Sequence, residues 1–392
     1  MLVISFSRWR SIRRHARSWI VVGSSLLLSP RPVRAENTIS YKYHDYREAD
    51  GRITVESHYG LVEADVGTDT HLKVQGVIDA IAGATPTGEP AATPGGPVPL
   101  SQIEDRRKAW SADLTHQFPR VQLTAGFANS RESDYVSNGW SFNTLADFNQ
   151  KNTTVLLGAA GTDDDIRVFF QRDWEKKRTL DFIAGLTQLL DPNTSVTINA
   201  GLGHSSGFHA DPYRLVFKRV EIAPGVFLPR TFAENRPDSR DKQTVFVALN
   251  RAFPSAQGAV EGSYRWFHDS FGINAHTLEL AWFQKLGARF TLRPSARFYD
   301  QSAADFYRVD LTGTNLTPTG RPNPAGPFFS ADYRISALRS YTVGLKAVWD
   351  VSTSWRIDAA IEHYEMRGKD RVTSPAAYPR AAIVTLGARL GW

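Results

Sequence analysis

The chain has 392 residues, 42% hydrophobic and 22% charged, which excludes a disordered chain and fits one large domain or two ordinary ones. A mean hydropathy of -0.32 excludes a bundle of apolar membrane helices, but not a β-barrel, whose lumen-facing polar residues cancel its lipid-facing apolar ones. The net charge of +6 is concentrated in Arg8, Arg10, Arg13, Arg14, Arg17, Arg31 and Arg34; without these, 39 basic residues face 40 acidic ones, and a basic nucleic-acid binder is not indicated.

In chain order, the first element is an export signal. A basic stretch from Arg8 to Arg17 precedes the apolar run Trp19 to Leu28, and Val33-Arg34-Ala35 supplies small residues before Glu36. The run is too short to span a bilayer, so residues 1–35 read as a cleaved signal peptide and residues 36–392 as one exported domain. The chain has no cysteine, so lipid anchoring at a cysteine, disulfides and thiolate chemistry are excluded.

From residue 36 onward, apolar and polar residues alternate with period 2 in segments of about ten residues. The segments predict about sixteen strands, spanning 37–47, 53–66, 70–82, 106–117, 120–130, 134–149, 153–160, 177–190, 194–205, 241–252, 259–271, 274–286, 289–301, 339–351, 355–366 and 381–392. In the last, Ala382, Val384, Leu386, Ala388, Leu390 and Trp392 share one face, and Thr385, Gly387, Arg389 and Gly391 the other. Trp, Tyr and Phe tip the apolar faces, as the interfacial girdles of a membrane barrel require. Tight connections such as Gly67-Thr68-Asp69 and Asp191-Pro192-Asn193 alternate with long excursions at 83–105, 161–176, 206–240, 302–338 and 367–380. That sorting predicts an all-β, transmembrane antiparallel β-barrel with short periplasmic turns and long extracellular loops. Bilayer lipid is then the partner of the outer face, and Trp392 the expected C-terminal aromatic signal to the barrel assembly machinery.

Several pieces resemble a family of Gram-negative outer-membrane barrels catalogued as a domain of unknown function. They are Tyr46-Arg47-Glu48, Asp79 to Gly88, Lys151-Asn152-Thr153-Thr154, His209-Ala210-Asp211-Pro212-Tyr213-Arg214, Arg236-Pro237-Asp238-Ser239-Arg240 and Ser330-Ala331-Asp332-Tyr333-Arg334. The resemblance implies a barrel and an outer-membrane address, without an activity to carry over. Relatives in that family are encoded near flavin-transferase genes, so the resemblance further suggests, by association, a link to redox biology and a periplasmic redox or assembly partner of unknown identity.

Candidate chemistry follows from the same pattern. Gly203-His204-Ser205-Ser206-Gly207 fits the G-x-S-x-G pattern of a nucleophile elbow, but it leaves a strand for a long loop without the helix that motif needs. A flexible exit from the barrel wall is preferred to a Ser205-centred hydrolase, and no enzyme is expected. Asp163-Asp164-Asp165 reads as a solvated loop tip, with calcium as the alternative. His204, His209 and Asp211 lack metal-ligand spacing, so neither a metal nor any other cofactor is expected.

Arg289, Arg293 and Arg297 fall four residues apart and predict a ladder on one lumen wall. Arg265, Lys285, Lys346, Arg356 and Arg389 join them, with Asp269, Glu279, Asp350, Asp358 and Glu362 on the same polar faces. Either these charges pair and fill the barrel, or they select ions. The long loops are where function is expected first, at Asp211, Tyr213, Arg214, Arg236, Asp332, Tyr333 and Arg334. Two functions are carried forward: a pore or partly plugged channel for a small solute or ion, and a non-conducting scaffold for periplasmic partners.

Overall fold

The structure is a computed structural model describing residues 37–93, 96–168, 173–318 and 323–392; the expected signal peptide lies outside them. Its strands are β1 Thr38–Glu48, β2 Thr54–Asp65, β3 Thr70–Pro86, β4 Leu100–Gln117, β5 Val121–Arg131, β6 Tyr135–Phe148, β7 Thr153–Arg167, β8 Trp174–Asp191 and β9 Thr194–Gly207. They continue as β10 Leu215–Ala223, β11 Val226–Ala233, β12 Ser239–Phe253, β13 Gly258–Asp269, β14 Asn274–Leu286, β15 Phe290–Gln301, β16 Leu338–Asp350, β17 Trp355–Gly368 and β18 Arg380–Gly391.

Sixteen of these close into one barrel in which chain neighbours are hydrogen-bonded neighbours. The exception is β9, which pairs with β12 and leaves β10 and β11 as a separate hairpin above the wall. Closure runs from Thr38↔Gly391 to Glu48↔Ala381, so each of the sixteen wall strands has a partner on both sides. The sixteen expected strands are these sixteen.

Alternation decides which side chain goes where. Val343, Leu345, Leu280, Ile361, Leu202 and Phe182 remain 44–62% exposed on the outer face, as an apolar band facing hydrocarbon requires. Phe290 stacks on Trp349 at 5.6 Å near the short-turn end, while Phe298 meets Tyr341 at 5.3 Å on the half toward the long loops. The strands of 18 residues, β4 and β8, are far longer than a crossing of roughly 10 residues needs, so the wall rises past the apolar band at its long-loop end.

Several boundaries move for a common reason. The loop expected at 83–105 shrinks to 87–99 because β3 and β4 stay paired up to Pro86↔Leu100. The loop expected at 161–176 shrinks to 168–173 because β7 continues to Arg167. Asp163, Asp164 and Asp165 are therefore strand residues, not a loop tip. Successive strand residues point to opposite faces, so the three carboxylates cannot converge on one ion. Instead Asp164 is buried, accepting from Ser137 Oγ at 2.7 Å and lying 3.5 Å from Lys177 Nζ, and Asp163 pairs with Arg178 at 2.9 Å. The polar tops of these strands carry no apolar alternation, which is why a reading by period stops short of them.

The core sits at the long-loop end. The most deeply buried large side chains are Phe271, Phe329, Leu311 and Leu338, together with Glu234, Asp269 and Asp332. All lie in, or at the foot of, the loops that follow β9, β13 and β15. These loops fold inward as a cap across the barrel mouth, held by Phe271, Phe306, Tyr307 and Ile335 in one cluster and by Tyr333, Leu338, Met366 and Tyr378 in another.

Candidate functional site: an ionic lock in the cap

At the exit from β9, Gly207 adopts φ +102°, and a Cβ there would lie 2.1 Å from the Lys176 carbonyl oxygen. Glycine is thus required where the chain turns off the wall. The turn delivers Asp211, Tyr213 and Arg214. The return from the β10–β11 hairpin delivers Glu234 and Arg236, and the 302–337 loop delivers Asp332, Tyr333 and Arg334.

These three arms meet. Asp332 accepts from Arg334 Nε at 2.7 Å and from Arg236 Nη2 at 2.8 Å, and Arg214 Nε lies 3.9 Å away. Arg334 also donates to Asp211, which lies 3.8 Å from Arg214. Glu234 pairs with Arg236 at 2.7 Å and accepts from the Asp211 amide and the Ser330 hydroxyl. Arg214 donates to Thr85 Oγ1 at 2.9 Å on the wall strand β3 and sits 5.6 Å over the Tyr333 ring. Three carboxylates and three guanidiniums thus neutralise one another almost out of reach of water, with Asp332 1%, Glu234 1% and Arg214 3% exposed.

The electrostatics follow from the geometry. Burial opposes ionisation of Asp332 and Asp211, yet the surrounding guanidiniums, Arg334 and Arg214 foremost, hold both carboxyls below the usual range. At Glu234 burial outweighs Arg236 and raises the pKa.

All seven loop residues singled out from sequence lie in this lock or against it: Tyr213 donates its hydroxyl to Asp134, and Tyr333 meets Tyr378 edge-on at 5.7 Å. Glu234 was missed. Lying in a run without periodicity, it carries no signal beyond being a charge beside Arg236.

The lumen wall below is different. Arg293 and Arg297 face inward on β15, but Arg289 is an exposed residue of the turn before it, so the ladder has two rungs. Arg297 pairs with Glu279 at 3.1 Å, Lys346 with Asp358 at 2.8 Å and Arg356 with Asp350 at 2.5 Å. Arg293 lies 5.1 Å over the Phe283 ring, and Arg265 donates to Thr277 at 3.3 Å. Glu362 and Arg389 share the inward face of β17 and β18. Arg297, Glu279, Lys346 and Arg356 keep side-chain exposures of 20–30%, against 1–10% in the lock outside Arg334, whose side chain is 19% exposed.

The serine motif is strand to its last residue. Ser205 faces inward, is 4% exposed and bonds His209 Nε2 at 2.8 Å, while His209 Nδ1 meets the Gly207 carbonyl at 2.8 Å. Burial drives the His209 pKa down to about 4. No carboxylate orients His209 among the described residues. His204 points the other way and pairs with Asp241 at 2.7 Å, so His204, His209 and Asp211 do not converge.

A comparison with curated proteins finds no match. Among solved structures the chain resembles a bacterial polysaccharide outer membrane secretin, at 8% identity and a TM-score of 0.51, covering 92% of this chain and 100% of that one. It also resembles CdiB from Acinetobacter baumannii, at 7% identity and a TM-score of 0.50 over 91% of this chain and 60% of that one. The siderophore receptor PirA from Pseudomonas aeruginosa aligns at 11% identity and a TM-score of 0.44 over 92% of this chain, which spans 62% of the receptor's length. The first two likenesses show an outer-membrane-type barrel fold. A family model described as "Protein of unknown function (DUF3570)" matches residues 20–175 and 168–378, and the chain belongs to that family.

Proposed function

We propose that this protein is an outer-membrane channel for a small solute or ion, partly plugged by its own extracellular loops. A barrel of sixteen strands is wide enough to hold water along its axis unless something fills it. The observation that carries the reading is the contrast in exposure along that axis. Wall charges such as Arg297 (25%) and Lys346 (30%) remain wetted, whereas the lock carboxylates Asp211, Glu234 and Asp332 and their partner Arg214 are all but dry. On this reading the lumen is open toward the periplasm and closed by the cap, and opening requires the 302–337 loop to part from the arms around Asp211 and Glu234.

Conductance in planar bilayers tests it. The wild type passes little current, and Asp332→Asn, which unbalances the lock, increases open events. A correctly folded variant that stays silent beside a silent wild type argues for a non-conducting scaffold. One observation favours that second reading: Arg297–Glu279, Lys346–Asp358 and Arg356–Asp350 leave little unbalanced charge to select an ion.

A further inference from the structure

The long-loop rim holds a second charged cluster, and this one is not balanced. Asp105 faces inward near the top of β4, and Glu132 and Asp134 lie in the three-residue connection between β5 and β6. β4 pairs with β5 only from Lys108↔Arg131 downward, so Asp105 stands beside that connection and accepts from the Ser133 amide at 3.3 Å. One carboxylate oxygen from each residue lies within 4.8 Å of the other two.

Glu132 is 8% exposed, and among the described residues nothing bonds or pairs with its carboxylate. Asp134 Oδ2 accepts from the Tyr213 hydroxyl, while its Oδ1 is buried without a partner. Arg107, a cation on the same face of β4, is bonded to Asp79 and offsets Glu132 only through space. A buried carboxylate aimed at two others is strongly unfavourable unless something positive or a proton joins them.

We propose that Asp105, Glu132 and Asp134 form a calcium site on the rim of the barrel. The donors are all hard oxygens, without the imidazole or thiolate that would favour zinc. Magnesium demands near-ideal octahedral geometry and gives up its waters reluctantly, so a cluster of protein carboxylates suits calcium better. Oxygens within 4.8 Å of one another can share a calcium ion, which holds its ligands at about 2.4 Å. Three carboxylates supply part of the six to eight oxygens calcium takes, with water completing the shell. The ion sits between wall strands and, through the Tyr213–Asp134 bond, next to the arm that carries Asp211 and Arg214. The site stands on its own geometry and does not depend on whether the barrel conducts.

Titration calorimetry tests it on the full chain refolded in detergent free of lipopolysaccharide and stripped with chelator. Calcium chloride is expected to fill one site with a Kd of roughly 10⁻⁴–10⁻³ M, the range of extracellular calcium modules. Glu132→Gln, nearly the same shape, weakens binding at least about tenfold. Asp163→Asn, which removes an exposed carboxylate paired with Arg178, leaves it unchanged. Heat-modifiable gel mobility verifies folding of each variant, and Asp105→Asn replaces Glu132→Gln if the latter does not fold. Absence of saturable binding, equal binding by magnesium chloride, or unchanged binding in the folded Glu132→Gln protein each overturns the assignment.

Discussion

Replacing Asp332 by asparagine keeps the shape of the side chain and removes one charge from a neutral six-membered network. Arg334 retains Asp211 and Arg236 retains Glu234, but among the described residues Arg214 is left with Asp211, at 3.8 Å, as its one paired carboxylate. Breaking a buried pair by removing one partner costs about 3–5 kcal/mol, and at 1% exposure water offers Asp332's former partners no substitute. At about 1.4 kcal/mol per factor of ten, the open state of the cap should gain about a hundredfold to a few thousandfold in population. Trypsin reads this directly, because Arg214 is 3% exposed and its peptide bond is cut only when the cap lifts. With reclosure faster than cleavage, the cutting rate after Arg214 follows that population. The barrel wall, held by strand pairing alone, should keep its heat-modifiable gel mobility. A folded Asp332→Asn protein cut after Arg214 no faster than wild type would refute the lock.

The cap should also loosen in acid. His209 has its pKa lowered to about 4 by burial, so its contribution is fully present above about pH 6.5 and is lost as pH falls through 4; it amounts to at most about 3 kcal/mol. In a His209→Gln variant the rate of cutting after Arg214 should change little across that window, whereas the wild type accelerates. Topology is tested by cysteine labelling on intact cells: a cysteine at Ala223, at the exposed hairpin tip, should react with an impermeant maleimide, and one at Thr68, in the short turn after β2, should not. Arg293→Gln with Arg297→Gln, placed in a conducting Asp332→Asn background, should move the reversal potential toward cations, because it frees Glu279 in a lumen where charge is weakly screened. An unchanged potential would show that permeant ions do not pass this wall.

The sequence by itself determined the barrel. Period-2 alternation names both faces of each strand, and a strand in hydrocarbon must close on a partner, so Val343, Leu345 and Trp349 had to face out and Lys346 and Asp350 inward. The count of sixteen wall strands followed from the same pattern. What alternation could not reach is everything above the bilayer: the tops of β3, β4, β7 and β8, where no lipid selects one apolar face, and the β10–β11 hairpin inside what reads as a single loop. Arg289 belongs with these, since a spacing of four predicts a shared face only while the strand lasts, and the strand begins at Phe290. The partners of Asp332 were settled only by tertiary structure. Ionic contacts between residues 96 and 123 positions apart leave no period in the chain. They exist because the 208–238 and 302–337 loops cross the same mouth, and a buried charge is tolerated there only when an opposite charge reaches it.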